Sequence, residues 1–229
     1  MLEANLRRVR LELAEAAGER YPVPKLVAVT KTHPLEDILP LKDLGVCDVG
    51  ENRVQELREK LPALAENFQV HLIGRLQSNK VKYIMDTVCM IHSLDRWSLA
   101  QEIDRQAGLH GVRMPVLIQV SPAGEPQKGG MPPEEVPDFA ARAAKLPGLR
   151  VCGLMAVMPD TGDEDVLLPL FRGMRALFER VRDAAPEGAE ISELSMGMSG
   201  DYRLAARCGA TMVRIGSAIF GPRPSQLTR

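Results

Sequence analysis

The run LVAVTK, residues 26–31, carries five residues that read as a buried parallel strand straight into a lysine, and Pro34 stops that strand from continuing as a paired ladder. Lys31 therefore stands where a strand ends. A desolvated amine there can lose its proton and condense with an aldehyde, which a solvated ammonium does poorly; the competing reading is a solvated lysine finishing a strand. Two further stretches, SMGMSGD (195–201) and RIGSAIFG (214–221), are rich in residues that suit an anion. Gly197 and Gly200 let the backbone approach a ligand, and Ser199 offers a hydroxyl beside amides that open a helix; Gly216 and Ser217 repeat the pattern. Read blandly, these are two strand-to-helix turns with Ser199 and Asp201 as N-caps. Arg214, two residues before Gly216 in an apolar strand, is either a pocket-facing cation or an ion-pair partner for a strand-end carboxylate such as Glu51. His71 opens an apolar strand and is either a site residue or a satisfied core histidine.

The elements that would position these residues alternate strictly. Short apolar runs begin at Leu26, Val46, Val70, Val88, Pro115, Val151, Glu193 and Thr211, and helical patterns lie around 35–45, 52–66, 78–86, 95–108, 133–146, 164–184 and 201–208, with a short apolar SAIFG after the last strand. Eight strands in strand-helix alternation predict an α/β fold, a single (β/α)8 TIM barrel spanning residues 1–229 as one domain. Leu2, Leu6, Val9 and Leu13 at helical spacing add an N-terminal helix packed on the barrel. In such a barrel the loops after the strands build the active face, and a phosphate site often follows strands seven and eight, where the two glycine-serine stretches fall.

Charge and composition narrow the partners. With 29 Lys+Arg against 30 Asp+Glu, the net charge of −1 gives no footprint for nucleic acid or an anionic membrane, so a small ligand is expected. No run approaches the ~20 apolar residues of a membrane span, and the acidic, block-free N-terminus argues against a targeting peptide. Cys47, Cys89, Cys152 and Cys208 lack C-x-x-C spacing, which suggests reduced thiols in a cytoplasmic protein and neither disulfides nor a metal.

Taken together, LVAVTKTHP, GENRVQE (50–56), HLIGRLQSNK (71–80), GLMAVMP (153–159) and LSMGMSGDYRLAARCGATMVRIGSAIFG (194–221) resemble the pyridoxal phosphate homeostasis protein family, from first strand to last. The resemblance implies a barrel similar to the N-terminal domain of alanine racemase that binds pyridoxal 5'-phosphate (PLP) without an established catalytic activity. It implies that Lys31 holds the cofactor as an internal aldimine, a Schiff base, and that Ser199, Gly216 and Ser217 cradle the phosphate. It further implies that Arg214 faces the pyridine nitrogen and that Asn52 and His71 line the cofactor. Lys128, otherwise a solvent lysine in GEPQKGG, matches a family lysine and becomes a secondary candidate for a second cofactor contact. Lys80 and Lys82 read as a solvated face. Two positions depart from the family: His33 stands where relatives often carry a second lysine, which puts a lysine-to-lysine hand-over of cofactor in doubt, and Arg53 stands where an aromatic is common.

Three functions compete at this stage. A cofactor carrier would hold PLP reversibly and pass it to PLP-dependent apoenzymes, with no catalytic residues of its own. A PLP-dependent racemase needs a second base opposite Lys31, a tyrosine from a C-terminal domain in the alanine racemase pattern; none of Tyr21, Tyr83 and Tyr202 is placed by sequence for that role. An aldolase-like barrel would condense with a phosphorylated carbonyl and hold no cofactor. The chain ends just past the eighth strand, so a monomer without a dimer-completing domain is expected.

Overall fold

A computed structural model describes residues 1–184 and 186–221. Eight strands form: β1 Lys25–Val29, β2 Asp48–Glu51, β3 Gln69–Leu72, β4 Met90–Leu94, β5 Met114–Val120, β6 Leu149–Ala156, β7 Glu193–Ser195 and β8 Met212–Ile215. They close in sequence order into a parallel barrel, β8 returning to β1 from Lys25↔Met212 to Ala28↔Ile215. The expected (β/α)8 barrel is therefore the fold. The proposed single unit runs to Arg229, and its residues 222–229 lie outside the described residues.

Around the barrel lie α1 Leu2–Ala17, α2 Leu35–Ile38, α3 Pro40–Asp43, α4 Val54–Asn67, α5 Trp97–His110, α6 Val136–Ala143, α7 Glu164–Asp183, α8 Tyr202–Arg207 and α9 Ser217–Phe220. The N-terminal helix is α1: Leu6, Val9 and Leu13 are buried, and Asn5 donates from Nδ2 to the Ile219 carbonyl at 2.8 Å, tying it to the segment after β8. Two helical expectations change. The stretch 35–45 splits into α2 and α3, because Pro40 has no N–H to continue the first helix and instead opens the second. The stretch 78–86 is a 3₁₀ segment, Ser78–Tyr83, in a sequence where Ser78, Asn79 and Val81 have little α-helical preference.

The main apolar core lies between strands and helices. A second, smaller cluster of Val27, Met90, Leu117, Cys152, Met155 and Met212 is separate from it. Met90 shares a face with His92, and Met212 with Arg214, since side chains alternate along a strand. The bore of the barrel therefore holds an apolar layer together with the buried polar residues His71, His92, Ser195 and Arg214.

Candidate functional site at the barrel mouth

Lys31 sits two residues past the end of β1, in a tight turn. Thr30 still belongs to the sheet, donating its N–H to Gly50 O at 3.1 Å, and its carbonyl accepts from the His33 N–H at 3.2 Å. Lys31 and Thr32 are thus the central pair of the turn. Thr32 has φ 66°, alone among the described non-glycine residues in the left-handed region. A β-branched residue there stores on the order of 1–3 kcal/mol of strain, the kind of local cost found where a functional side chain must be aimed.

Neighbouring charges hold the strained turn. Glu56 Oε2 accepts the Thr32 N–H at 3.3 Å. Lys60 Nζ donates at 3.0 Å both to Thr30 O and to the fully buried Glu51 Oε1, which also accepts from Thr30 Oγ1 at 2.7 Å. Glu51 is therefore the partner of Lys60 and not of Arg214. His33 stacks on Phe220 with ring centroids 4.1 Å apart, joining the Lys31 turn to α9.

The two glycine-serine loops meet beside that turn. Ser199 Oγ accepts from the amides of both Gly216 and Ala218 at 3.2 Å, so the loop after β7 and the start of α9 converge on one hydroxyl. Gly216 packs against the end of β1: a Cβ there would meet Val29 Cβ and O at 3.3 Å. Gly197 turns at φ 95° where a Cβ would collide with Ala205. Neither Ser199 nor Asp201 caps its own helix; Asp201 instead accepts the Met198 N–H at 2.5 Å, closing the loop on itself. Burial pushes the Asp201 carboxyl up, against the pull of that backbone bond and of Arg214.

Arg214 is 3% exposed and bound to neutral groups: Nη1 donates to Ser195 O at 2.9 Å and Ser195 Oγ at 2.7 Å, Nη2 to Ala156 O at 2.7 Å. Among the described residues no carboxylate lies within ion-pair distance of it. Burial lowers its pKa to about 10, with Asp201 opposing, so the guanidinium is still charged at neutral pH. Beyond Ser195 the bonding continues through the bore: Ser195 Oγ to His92 Nδ1 at 3.1 Å, His92 Nε2 to His71 Nδ1 at 2.9 Å, His71 Nε2 to Asp48 Oδ1 at 2.9 Å. Both ring nitrogens of His71 are spent in this chain, so His71 is a satisfied interior histidine. Burial, then His71 and Arg214, hold His92 well below the usual histidine range.

That depressed pKa has a sign. A histidine neutral in the fold gives stability that is present above its unfolded pKa near 6.5 and is lost as pH falls below it, because only the unfolded chain takes up the proton. Unfolding stability is expected to fall with acidification by about 1.4 kcal/mol per pH unit on account of this one group. Denaturant titrations of wild type and His92→Gln across that range should differ in slope by about one proton.

Asn52 lies at the end of β2 with its Oδ1 buried and without a hydrogen-bond partner, beside Gly74, whose Cα is pressed against the Asn52 backbone so closely that a Cβ would not fit. Lys128 is less solvated than its loop suggests: it pairs with Glu125 at 2.8 Å and donates to Met158 O at 3.0 Å. Lys80 and Lys82 flank the Tyr83 ring at 5.8 and 5.0 Å from its centroid, away from the site. The structure thus brings Lys31, Ser199, Gly216 and Ser217 to one mouth and places Arg214 in the bore. Sequence reasoning missed His92, Ser195 and Asp48, for which period-two alternation in the strands was the available signal, and it missed Lys60.

Comparison with known proteins identifies relatives along the whole chain. The alanine racemase N-terminal domain family matches residues 2–224. The pyridoxal phosphate homeostasis protein of Aquifex aeolicus is 40% identical over 95% of both chains, and that of Pasteurella multocida 39% identical over 97% of both. The structure of PipY from Synechococcus elongatus PCC7942 with PLP bound superposes with a TM-score of 0.84 at 32% identity, covering 96% of this chain and 100% of that one. Alanine racemase of Clostridium difficile 630 shares the fold at 17% identity, TM-score 0.76, over 97% of this chain and 56% of that one. With relatives 39–40% identical along nearly its whole length, the chain belongs to the pyridoxal phosphate homeostasis protein family.

Proposed function

We propose that this chain holds PLP reversibly at the barrel mouth and buffers it or supplies it to PLP-dependent apoenzymes, without turning over amino acids efficiently. The observation that carries the reading is the convergence of the Lys31 turn with the Ser199, Gly216 and Ala218 cluster, next to a buried arginine that can only donate. The residues fit the cofactor. Ser199, held by two amides, keeps its hydroxyl hydrogen for a phosphate, and Arg214 has an Nε–H and one Nη2 hydrogen left after its three bonds. Two of the relatives named above are called pyridoxal phosphate homeostasis proteins, and the PipY structure has PLP bound.

When bound, PLP supplies an aldehyde for amines and a ring that draws electrons from an attached carbon. Lys31 provides the amine for that aldehyde, on a backbone fixed by Lys60, Glu51 and Glu56. Ser199, fixed by the Gly216 and Ala218 amides and with its own hydrogen left to donate, would hold the phosphate together with Ser217. The partly buried Asn52 side chain would line the cofactor. Arg214, donating only, favours an unprotonated ring nitrogen and so a weak electron sink.

A second base is wanting among the described tyrosines. Tyr202 donates to Glu12 of α1 and is pushed up to about 12 by burial and that carboxylate; Tyr83 lies among Arg58, Lys80 and Lys82; Tyr21 lies beneath Arg20 and Arg175. The carrier reading is favoured over the racemase one on this ground. We place the protein in the cytoplasm because its four cysteines are unpaired; no helix among the described residues is long and apolar enough to cross a membrane. A monomer fits exposed apolar side chains, such as Leu11, Leu39, Leu109 and Val166, that come from different elements.

The test is to record the visible spectrum of the purified protein loaded with PLP, reduce with borohydride, and map the modified peptide. A pyridoxyl group on the peptide containing Lys31 is expected. A colourless protein with no modified peptide would move the site to the aldolase-like reading.

A further inference from the structure

The hydrogen-bond chain in the bore has one arrangement of protons that leaves no member unpaired. The Asp48 carboxylate accepts, so His71 donates from Nε2. Neutral His71 then accepts at Nδ1, and its donor is the Nε2–H of His92. His92 in turn accepts at Nδ1, taking the hydrogen of the Ser195 hydroxyl. That leaves the Ser195 oxygen to accept from Arg214, which can only donate. A hydrogen added at His71 Nδ1 would leave the bond to Asp48 unchanged, reverse the His71–His92 and His92–Ser195 bonds, and leave the Ser195 hydroxyl hydrogen without a partner among the described residues, at a fully buried position.

The chain runs from β2 through β3 and β4, crosses the bore to β7, and ends on β8, where an apolar filling is usual. Polar groups this deep hold a single geometry only when every one of them is satisfied. We infer that Asp48, His71, His92 and Ser195 are positioning residues for Arg214: a one-way relay that occupies its Nη1 group and fixes which guanidinium hydrogens remain for a ligand ring. The inference rests on the proposal that Arg214 meets the cofactor ring, and it gives His71 a role at one remove from the cofactor.

Histidine ¹⁵N NMR of the full chain without PLP tests the relay directly. At neutral pH His71 and His92 are both expected as neutral Nε2–H tautomers; an imidazolium at either, or an Nδ1–H tautomer at His92, overturns it. In the PLP-loaded protein, Asp48→Ala is expected to raise the PLP dissociation constant roughly fivefold, the effect of one lost positioning bond, and to shift the visible band. Asp48→Asn, which keeps an acceptor oxygen, is expected to restore both. An unchanged constant and band in Asp48→Ala would overturn the relay while a modified Lys31 peptide left the binding site standing. Failure of the wild type to bind PLP, with the tautomers as expected, would instead remove the site and leave the relay's geometry intact.

Discussion

Lys31→Ala protein is expected to lose its yellow band and its capture by borohydride while keeping the wild-type fold. Around the half-buried Lys31, the Thr30 carbonyl is held by Lys60 and the His33 amide, and the Thr32 amide by Glu56. Those bonds come from other residues and remain when Lys31 is truncated, so the barrel is expected to fold. The covalent hold on the cofactor disappears altogether, and what binding persists is carried by the phosphate loops and Arg214. Circular dichroism and visible spectra on the same sample check both halves. A band that survives would assign the cofactor to another amine, with Lys128 the first to examine.

Ser199→Ala is expected to weaken PLP binding ten- to a hundredfold. The Ser199 oxygen accepts two amides at 3.2 Å, longer than the usual 2.9 Å or so, and its own hydrogen is left to donate. A hydrogen bond to a charged group is worth about 1.5–3 kcal/mol, and each 1.4 kcal/mol is a factor of ten. The same reasoning makes the phosphate a main source of affinity: pyridoxal should bind far more weakly than PLP to wild type, and the gap should narrow in the variant. Equal affinities for pyridoxal and PLP in wild type would remove the phosphate assignment from these loops.

Much of this was legible in the chain because it is local. Each strand announced itself as a short apolar run, and the alternation of eight such runs with helical patterns left a closed barrel as the simplest arrangement. Lys31 and the Ser199 and Gly216 loops could be found because strand ends and glycine-serine turns carry their chemistry in a few consecutive residues. The relay could not. His92 and Ser195 are 103 residues apart and meet only across the closed bore, so nothing near either in sequence distinguishes a linked histidine from an ordinary buried one. The same holds for Lys60, which sits on α4 yet props the carbonyl preceding Lys31, and for Glu51, whose partner is that lysine and not Arg214. Thr32 was hidden for another reason: its left-handed backbone is imposed by the turn against its own preference, and residue type alone would have argued for glycine there.

On the proposed reading, a lysine and a donor-only arginine hold PLP without making it a good catalyst. Exchange of the α-proton of alanine in deuterated water, followed by NMR for the PLP-loaded protein against free PLP at equal concentration, measures it most directly. A rate close to that of free PLP is expected, since Arg214 leaves the ring a weak sink and no second base faces Lys31 among the described tyrosines; exchange near the ~10 s⁻¹ typical of enzymes would contradict the carrier reading and make the protein a racemase-type catalyst.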